Sequence, residues 1–86
     1  MYKVIATVKS IGGVCAFHEV GDQIIYDGRS IEGHFCGSAF VAMMPTMYAM
    51  RYGAEFPWLE GKDVTTFACP DAENPVVFEI RRVEEE

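Results

Sequence analysis

The stretch SAFVAMMPTMYAMRY, residues 38–52, decides the fold because its apolar side chains recur at helical spacing. On either side of it the apolar side chains follow the alternating pattern of strands. Ser38 is predicted to cap the start of this helix, and Gly53 is predicted to close its end. Pro45 lies inside the pattern and lacks a backbone donor, which predicts a kink there or two short helices that meet there.

Strand patterns precede and follow the helix. Asp27 and Gly28 form the strongest two-residue hairpin signal, so the chain is expected to return antiparallel directly after them. The predicted strands are residues 2–11, 23–26, 29–32, 64–68 and 76–83. The sequence therefore predicts a single α+β domain, residues 1–86, with a small antiparallel sheet of about four to five strands and one kinked helix packed on one face.

Size and charge exclude several classes of protein. The chain has 86 residues with a formal net charge of −6, and its only tight basic pair is Arg81 with Arg82. Such a chain repels phosphate backbones, so we expect no nucleic acid or anionic membrane as a partner. The longest mostly apolar stretch, residues 37–45, is far below the ~20 residues of a membrane span, and no signal-peptide pattern is present. We therefore expect a cytoplasmic protein.

The cysteines suggest where the chemistry lies. Their number is odd and there is no signal peptide, which favours reduced thiols or metal ligands over a disulfide framework. If the first strand runs upward, Cys15 follows its upper end. The third and fourth strands then also run upward, toward Cys36 and Cys69 respectively. The topology therefore predicts that all three thiols lie at one end of the sheet.

His18 lies three residues after Cys15, so Cys15, His18, Cys36 and Cys69 form a candidate set of three sulfur ligands and one nitrogen ligand. Zinc and ferrous iron prefer such thiolate and imidazole ligands. The alternative is that each cysteine is a buried apolar residue and His18 an ordinary core or surface group. The sequence leaves these two interpretations open.

Cys36 is also the best candidate for a reactive, catalytic thiol, because a helix N-terminus directly after it would stabilise a thiolate. His18 or His34 would then be its proton partner, and Asp22 and Asp71 lie near the same end. The sequence contains no Gly-rich phosphate loop, no Ser nucleophile elbow and no paired-carboxylate motif. Whether the protein is an enzyme is therefore left open.

Phe56, Pro57 and Trp58 lie in a connection that is expected at the surface. They form either a surface for a homo-oligomer or a partner enzyme, or a cap on the lower end of the core. The alternative function is accordingly a non-catalytic interaction module whose free cysteines are structural. The methionines of the helix are interpreted as adaptable core packing rather than a copper site: Met43, Met44, Met47 and Met50.

Several short motifs lie along nearly the whole chain. They are Gly13-x-Cys15-x-x-His18-x-x-Gly21-Asp22, Gly33-x-x-Cys36, Arg51-Tyr52-Gly53-Ala54, Cys69-Pro70-Asp71 and the closing Val76-Val77-Phe78-Glu79-Ile80-Arg81. Together they resemble a family of small, uncharacterised single-domain proteins found mainly in anaerobic bacteria and archaea. That family often has Pro after the first two cysteines, where this chain has Ala16 and Gly37. The resemblance implies a grouping without a mechanism, and an anaerobic setting would suit reduced thiols and ferrous iron.

Overall fold

The computed structural model describes residues 2–15, 18–34, 36–57, 59, 61 and 63–84. Its elements are β1 (Tyr2–Ile11), β2 (Gln23–Tyr26), β3 (Ile31–Gly33), α1 (Gly37–Arg51), β4 (Val64–Ala68) and β5 (Val76–Glu84). All neighbouring strands pair antiparallel in one sheet of order β3-β2-β1-β5-β4, and α1 packs on one face of it. The predicted α+β architecture is confirmed.

The core lies between α1 and the two central strands. Alternate side chains of β1 and β5 point into it, and the strands are in register at Ala6↔Ile80 and Val8↔Phe78. Burying each large apolar side chain contributes roughly 1.5–3 kcal/mol. Three of the helix methionines are fully buried there, and Met44 packs against them partly buried, so their interpretation as core residues agrees with the structure: Met43, Met47 and Met50.

The turn between β2 and β3 is longer than the sequence predicted. Residues 27–30 form the loop, and β3 covers Ile31–Gly33 instead of residues 29–32, so the two-residue turn is wrong. The carboxylate of Asp27 explains the difference, because it accepts hydrogen bonds from the backbone N–H groups of Ser30, 2.8 Å, and Arg29, 2.9 Å. The same two hydrogen bonds hold the pKa of the Asp27 carboxyl below its ordinary value.

Helix α1 runs from Gly37 to Arg51 without interruption at Pro45, so the alternative of two short helices is wrong. Its N-cap is Cys36, whose carbonyl oxygen accepts a backbone N–H at 2.9 Å, and the predicted cap at Ser38 is wrong. Gly53 closes the helix with φ 87°, as predicted. In the part of the chain that the structure describes, no helix combines the length and apolarity needed to cross a membrane.

A buried arginine from β5 caps the last turn of α1. Arg82 is 4% exposed, and its Nη1 donates hydrogen bonds to the carbonyl oxygens of Met50, 3.2 Å, and Ala54, 2.7 Å. Its Nε donates to Asp63 at 3.0 Å, and its guanidinium lies 4.8 Å from the ring centroid of Tyr2. Carbonyl groups at a helix end lack partners within the helix. Arg82 therefore adds a donor from the neighbouring sheet to one of them, that of Met50, which also accepts the Gly53 N–H, and to the carbonyl of Ala54 beyond the helix end.

A second buried arginine, Arg51, connects the end of α1 to β1 and to the turn between β2 and β3. Its Nη1 donates a hydrogen bond of 2.8 Å to the carbonyl oxygen of Tyr2. Its guanidinium also packs against Gly28, where a Cβ atom would overlap it and where φ is +94°. Gly28 is therefore required both for the backbone conformation of the turn and for the space that Arg51 occupies.

The connection after α1 is only partly described. Phe56 is half-buried and packs against the core, which agrees with the interpretation of this residue as a cap on the core. Pro57 is exposed, and Trp58 lies outside the described residues. The interaction surface predicted for these three residues therefore remains a prediction.

Candidate functional site

The strands β1, β3 and β4 run in the same direction, because each is antiparallel to β2 or β5. Cys15, Cys36 and Cys69 follow the ends of these three strands, so the chain brings them to one end of the sheet. A cavity of about 360 Å³ opens at this end, and all three cysteines and His18 line it. The structure therefore gathers the four residues that the chain direction groups together. We call this cavity the cysteine pocket.

The three cysteines are free and half-buried. Sγ of Cys15 accepts a hydrogen bond from the backbone N–H of His18 at 3.4 Å. Sγ of Cys69 accepts one from the backbone N–H of Val76 at 3.2 Å and lies 3.9 Å from the carbonyl oxygen of Asn74. Two of the three sulfur atoms are thus held in place by backbone N–H groups of nearby residues.

His18 is 3% exposed, and its ring packs edge-on against Phe78 with a centroid distance of 5.4 Å. Nε2 accepts a hydrogen bond of 3.1 Å from the backbone N–H of Cys36, which places the proton of the neutral ring on Nδ1. Nδ1 lies 3.7 Å from Oδ2 of Asp22. Burial lowers the pKa of His18, while Asp22 raises it and His34 lowers it further.

Cys36 directly precedes the helix, as the sequence predicted, and it occupies the N-cap position that the sequence assigned to Ser38. His18 contacts Cys36 through the backbone N–H, so in this arrangement it orients the start of the helix. His34 is exposed, and its ring lies perpendicular to that of His18 with centroids 5.9 Å apart. Asp71 lines the pocket, but its Oδ1 accepts backbone N–H groups of its own turn, so it is first of all a turn residue.

The four predicted ligands share the pocket without forming a coordination shell. Among the residues that the structure describes, no three His, Cys, Asp or Glu side chains are grouped closely enough to hold one metal ion. The imidazole of His18 also uses Nε2 to accept the Cys36 N–H, and that is the atom it would need for a ligand bond.

Asn74 is a residue of the pocket that the sequence analysis did not single out. Its Oδ1 accepts a hydrogen bond of 2.9 Å from the backbone N–H of Val14, and Gly12 N–H donates to the Pro75 carbonyl at 2.7 Å. These contacts join the loop after β1 to the loop between β4 and β5 across the cavity. The pair Asn74-Pro75 predicts a turn from the sequence. No local pattern predicts that Asn74 accepts a hydrogen bond from the distant Val14 N–H.

Comparisons with known proteins identify no relative of this chain. No protein-family model, no curated protein and no solved structure matches the chain. The proposals that follow therefore rest on the geometry and chemistry of the cysteine pocket.

Proposed function

We propose that the protein binds a transition metal, zinc or ferrous iron, through the thiols of Cys15, Cys36 and Cys69. The observation that supports this most directly is that all three cysteines of the chain line one pocket. They come from separate segments, each after a different strand. Thiolates are the ligands that a borderline-soft divalent ion prefers.

A metal binds these thiols in their deprotonated form. Backbone N–H groups point at the sulfur atoms of Cys15 and Cys69, and Cys36 stands at the positive end of the α1 dipole. His18 is the fourth candidate ligand. Its Nε2 becomes available to a metal only when the hydrogen bond from the Cys36 N–H is given up.

The proposed metal site requires reduced thiols, and we therefore propose that the protein is cytosolic. The suggested resemblance to proteins of anaerobes points the same way, because ferrous iron and thiols persist where oxygen is absent. Both points remain proposals.

Metal analysis of protein purified without chelator tests the proposed function. We expect about one zinc or iron per chain, and loss of the metal on chelation with a lower melting temperature. Titration of the metal-free protein with Co²⁺ should produce a thiolate-to-cobalt absorption band that each Cys→Ser change weakens. Ser38→Ala, in the same pocket, is the matched control and should leave the band unchanged. A protein without metal, without the cobalt band and with unchanged melting would contradict the proposal.

The outer face of α1 supports a second candidate, self-association of the chain as an interaction module. Val41, Tyr48 and Tyr52 are 72%, 54% and 53% exposed, and the helix carries no charged residue before Arg51. Exposed apolar side chains that form a patch mark interaction sites. Because the chain carries a net charge of −6, an uncharged face is where two copies approach without repulsion.

Light scattering after size-exclusion chromatography tests this candidate. We expect a dimer that Tyr48→Glu dissociates, because the charge would be buried at the contact. Val20→Glu is the matched control, since Val20 is 65% exposed outside the helix. A monomeric parent protein would exclude self-association through this face.

A further inference from the structure

The two outer strands of the sheet differ in how well they are protected against pairing with a further strand. β3 is three residues long and contains Glu32, and a short or charged outer strand discourages such pairing. β4 is five residues long and contains no charged residue and no proline. Among the residues that the structure describes, no strand pairs with the outer side of β4. The sheet is therefore open to extension at β4.

The hydrogen bonds at the two ends of β4 show which of its backbone groups face outward. The Arg82 N–H donates to the Asp63 carbonyl at 2.9 Å, and the Cys69 N–H donates to the Val76 carbonyl at 2.9 Å. Residues 63 and 69 therefore direct their backbone groups toward β5, and in an antiparallel pair this direction alternates along the strand. The residues whose N–H and C=O groups point away from β5 are Val64, Thr66 and Ala68.

These three residues present three donors and three acceptors in one row. Thr66 and Ala68 are exposed and Val64 is half-buried, and no other segment of the described chain forms backbone hydrogen bonds on that side. Pro70, which has no N–H group, ends the row of donors. An edge of this kind binds an extended peptide as an additional strand through main-chain hydrogen bonds.

The two faces of β4 favour different side chains in such a peptide. Phe67 is paired with Phe78, so it lies on the core face, where it is half-buried and packs against the core. An apolar side chain placed beside Phe67 would cover its exposed part. Thr66 is exposed on the opposite face, where a polar side chain beside it stays in water. The edge therefore fits a peptide that alternates apolar and polar residues.

Acidic residues flank β4 along the chain. Asp63 precedes the strand, and its side chain is 51% exposed although it contacts Arg82; Asp71 lies in the turn after the strand and is exposed. If two copies of this chain paired antiparallel about Thr66, Asp63 of each copy would face the Asp71 end of the other, in a chain of net charge −6. Like charges oppose that pairing, whereas basic residues at the ends of a peptide are attracted.

We infer that the outer edge of β4 binds an extended segment of another protein as a sixth strand, and that this segment alternates apolar and polar residues between basic ends. The inference goes beyond the proposed metal binding and uses none of its ligands. The edge is also a different surface from the outer face of α1.

An NMR titration of the isotope-labelled full chain tests the inference. The probe is the peptide Lys-Thr-Val-Thr-Val-Thr-Lys, blocked at both ends and added to about 1 mM. We expect chemical-shift changes and slower amide exchange concentrated at Val64, Thr66 and Ala68. In one matched peptide Pro replaces the central Thr and removes one donor, and in another Glu replaces both Lys residues. Each of these should bind at least about tenfold more weakly.

Variants of the protein test the same contact from the other side. Thr66→Pro removes a donor of the outer edge without removing a hydrogen bond to β5, and it should abolish binding. Thr66→Val keeps the backbone N–H and should bind within about twofold of the parent. Asp71→Asn keeps the Oδ1 acceptor of its turn but loses the charge, so it should weaken binding of the Lys-ended peptide. The NMR spectrum shows whether each variant is folded, and the matched peptides on the parent decide if Thr66→Pro is not.

Each outcome supports or overturns the inference. Shift changes at the three edge residues that are lost with the Pro-containing peptide support it. Absence of binding at about 1 mM, or shift changes away from β4, overturns it. Equal binding of the Lys-ended and Glu-ended peptides overturns the assignment of a basic partner. Amide exchange at these residues that slows with protein concentration alone overturns it in favour of a second copy as the occupant. Metal binding is decided separately by elemental analysis.

Discussion

The backbone N–H of Cys36 donates a hydrogen bond of 3.1 Å to Nε2 of His18, which lies in the loop after β1. The imidazole is buried against Phe78, so the contact connects the core, the loop and the first turn of α1. An imidazole accepts such a hydrogen bond only in its neutral form. The start of the helix therefore depends on the protonation state of one histidine.

Replacement of His18 by Ala should destabilise the metal-free protein by about 2–4 kcal/mol, because it leaves a cavity beside Phe78 and removes the acceptor of the Cys36 N–H. Urea denaturation measures the free energy of unfolding. His34→Ala is the matched control, since His34 is exposed, and it should cost about 0.5 kcal/mol. Equal losses in the two variants would contradict the structural role of His18.

The metal-free protein should lose stability as the pH falls below about 6.5, the ordinary value for histidine. The folded pKa of His18 is lowered, chiefly by burial, so the unfolded chain binds the proton first. The stability that neutral His18 contributes is therefore fully present above about pH 6.5. It is lost as the pH falls through the pKa of His18 in the folded protein. Denaturation at several pH values measures this slope. His18→Gln, whose amide oxygen is able to accept the same hydrogen bond, should reduce the slope, and an unchanged slope would point to another group.

Replacement of Arg82 by Met should cost about 3 kcal/mol, because the carbonyl of Ala54 loses the Arg82 donor and that of Met50 keeps only the Gly53 N–H. Chemical denaturation checks the value. Arg81→Met is a neighbouring control, since Arg81 is exposed and its ion pair with Glu79 contributes at most about 1 kcal/mol. A smaller loss for Arg82→Met than for Arg81→Met would refute the capping role.

Gly28→Ala should destabilise the protein by about 2–4 kcal/mol, since it combines a strained positive φ with overlap between the new Cβ atom and the Arg51 guanidinium. Gly21→Ala separates the two effects. Gly21 has φ +97° and open space around it, so only the strain, about 1 kcal/mol, should appear. Thermal or urea unfolding compares the two variants, and equal losses would show that Arg51 moves away without cost.

Cys36 should be the thiol of the metal-free protein that iodoacetamide modifies fastest. It stands at the N-terminus of α1, a position at which cysteines in proteins are commonly reactive, whereas backbone N–H groups hold the sulfur atoms of Cys15 and Cys69 within their loops. Peptide mass mapping over time gives the three rates. Slowest modification at Cys36 would exclude it as a reactive thiol, and Zn²⁺ should protect the three cysteines if they bind it.

Local patterns were sufficient to predict the strands, the helix and the direction of each segment. Direction alone was enough to group Cys15, Cys36 and Cys69 at one end, because alternation of antiparallel strands follows from chain order. The Asp27 turn was predicted too short because the side chain of Asp27 competes with the backbone for the turn N–H groups.

Contacts between distant segments were beyond the reach of sequence patterns. Arg82 shares the inward face of β5 with Ile80, but its burial was not predicted, and its partners at the end of α1 depend on how the helix lies on the sheet. The hydrogen bond from the Cys36 N–H to His18 likewise joins two distant segments, and no local pattern predicts it. A histidine three residues after a cysteine predicts a ligand pair, whereas the packed chain turns its Nε2 toward the helix.

The arginine cap of α1 lies at the opposite end of the molecule from the cysteines. Because Arg82 fastens the last helical turn to the sheet there, the loops that carry Cys15 and Cys69 are not needed to anchor that end. Of these two loops, the one between β4 and β5 is suited to exchange, because the loop after β1 carries His18, which is buried against Phe78 and holds the start of α1. Other metal-binding or peptide-binding sequences could be grafted in place of the loop between β4 and β5 while the scaffold stays intact.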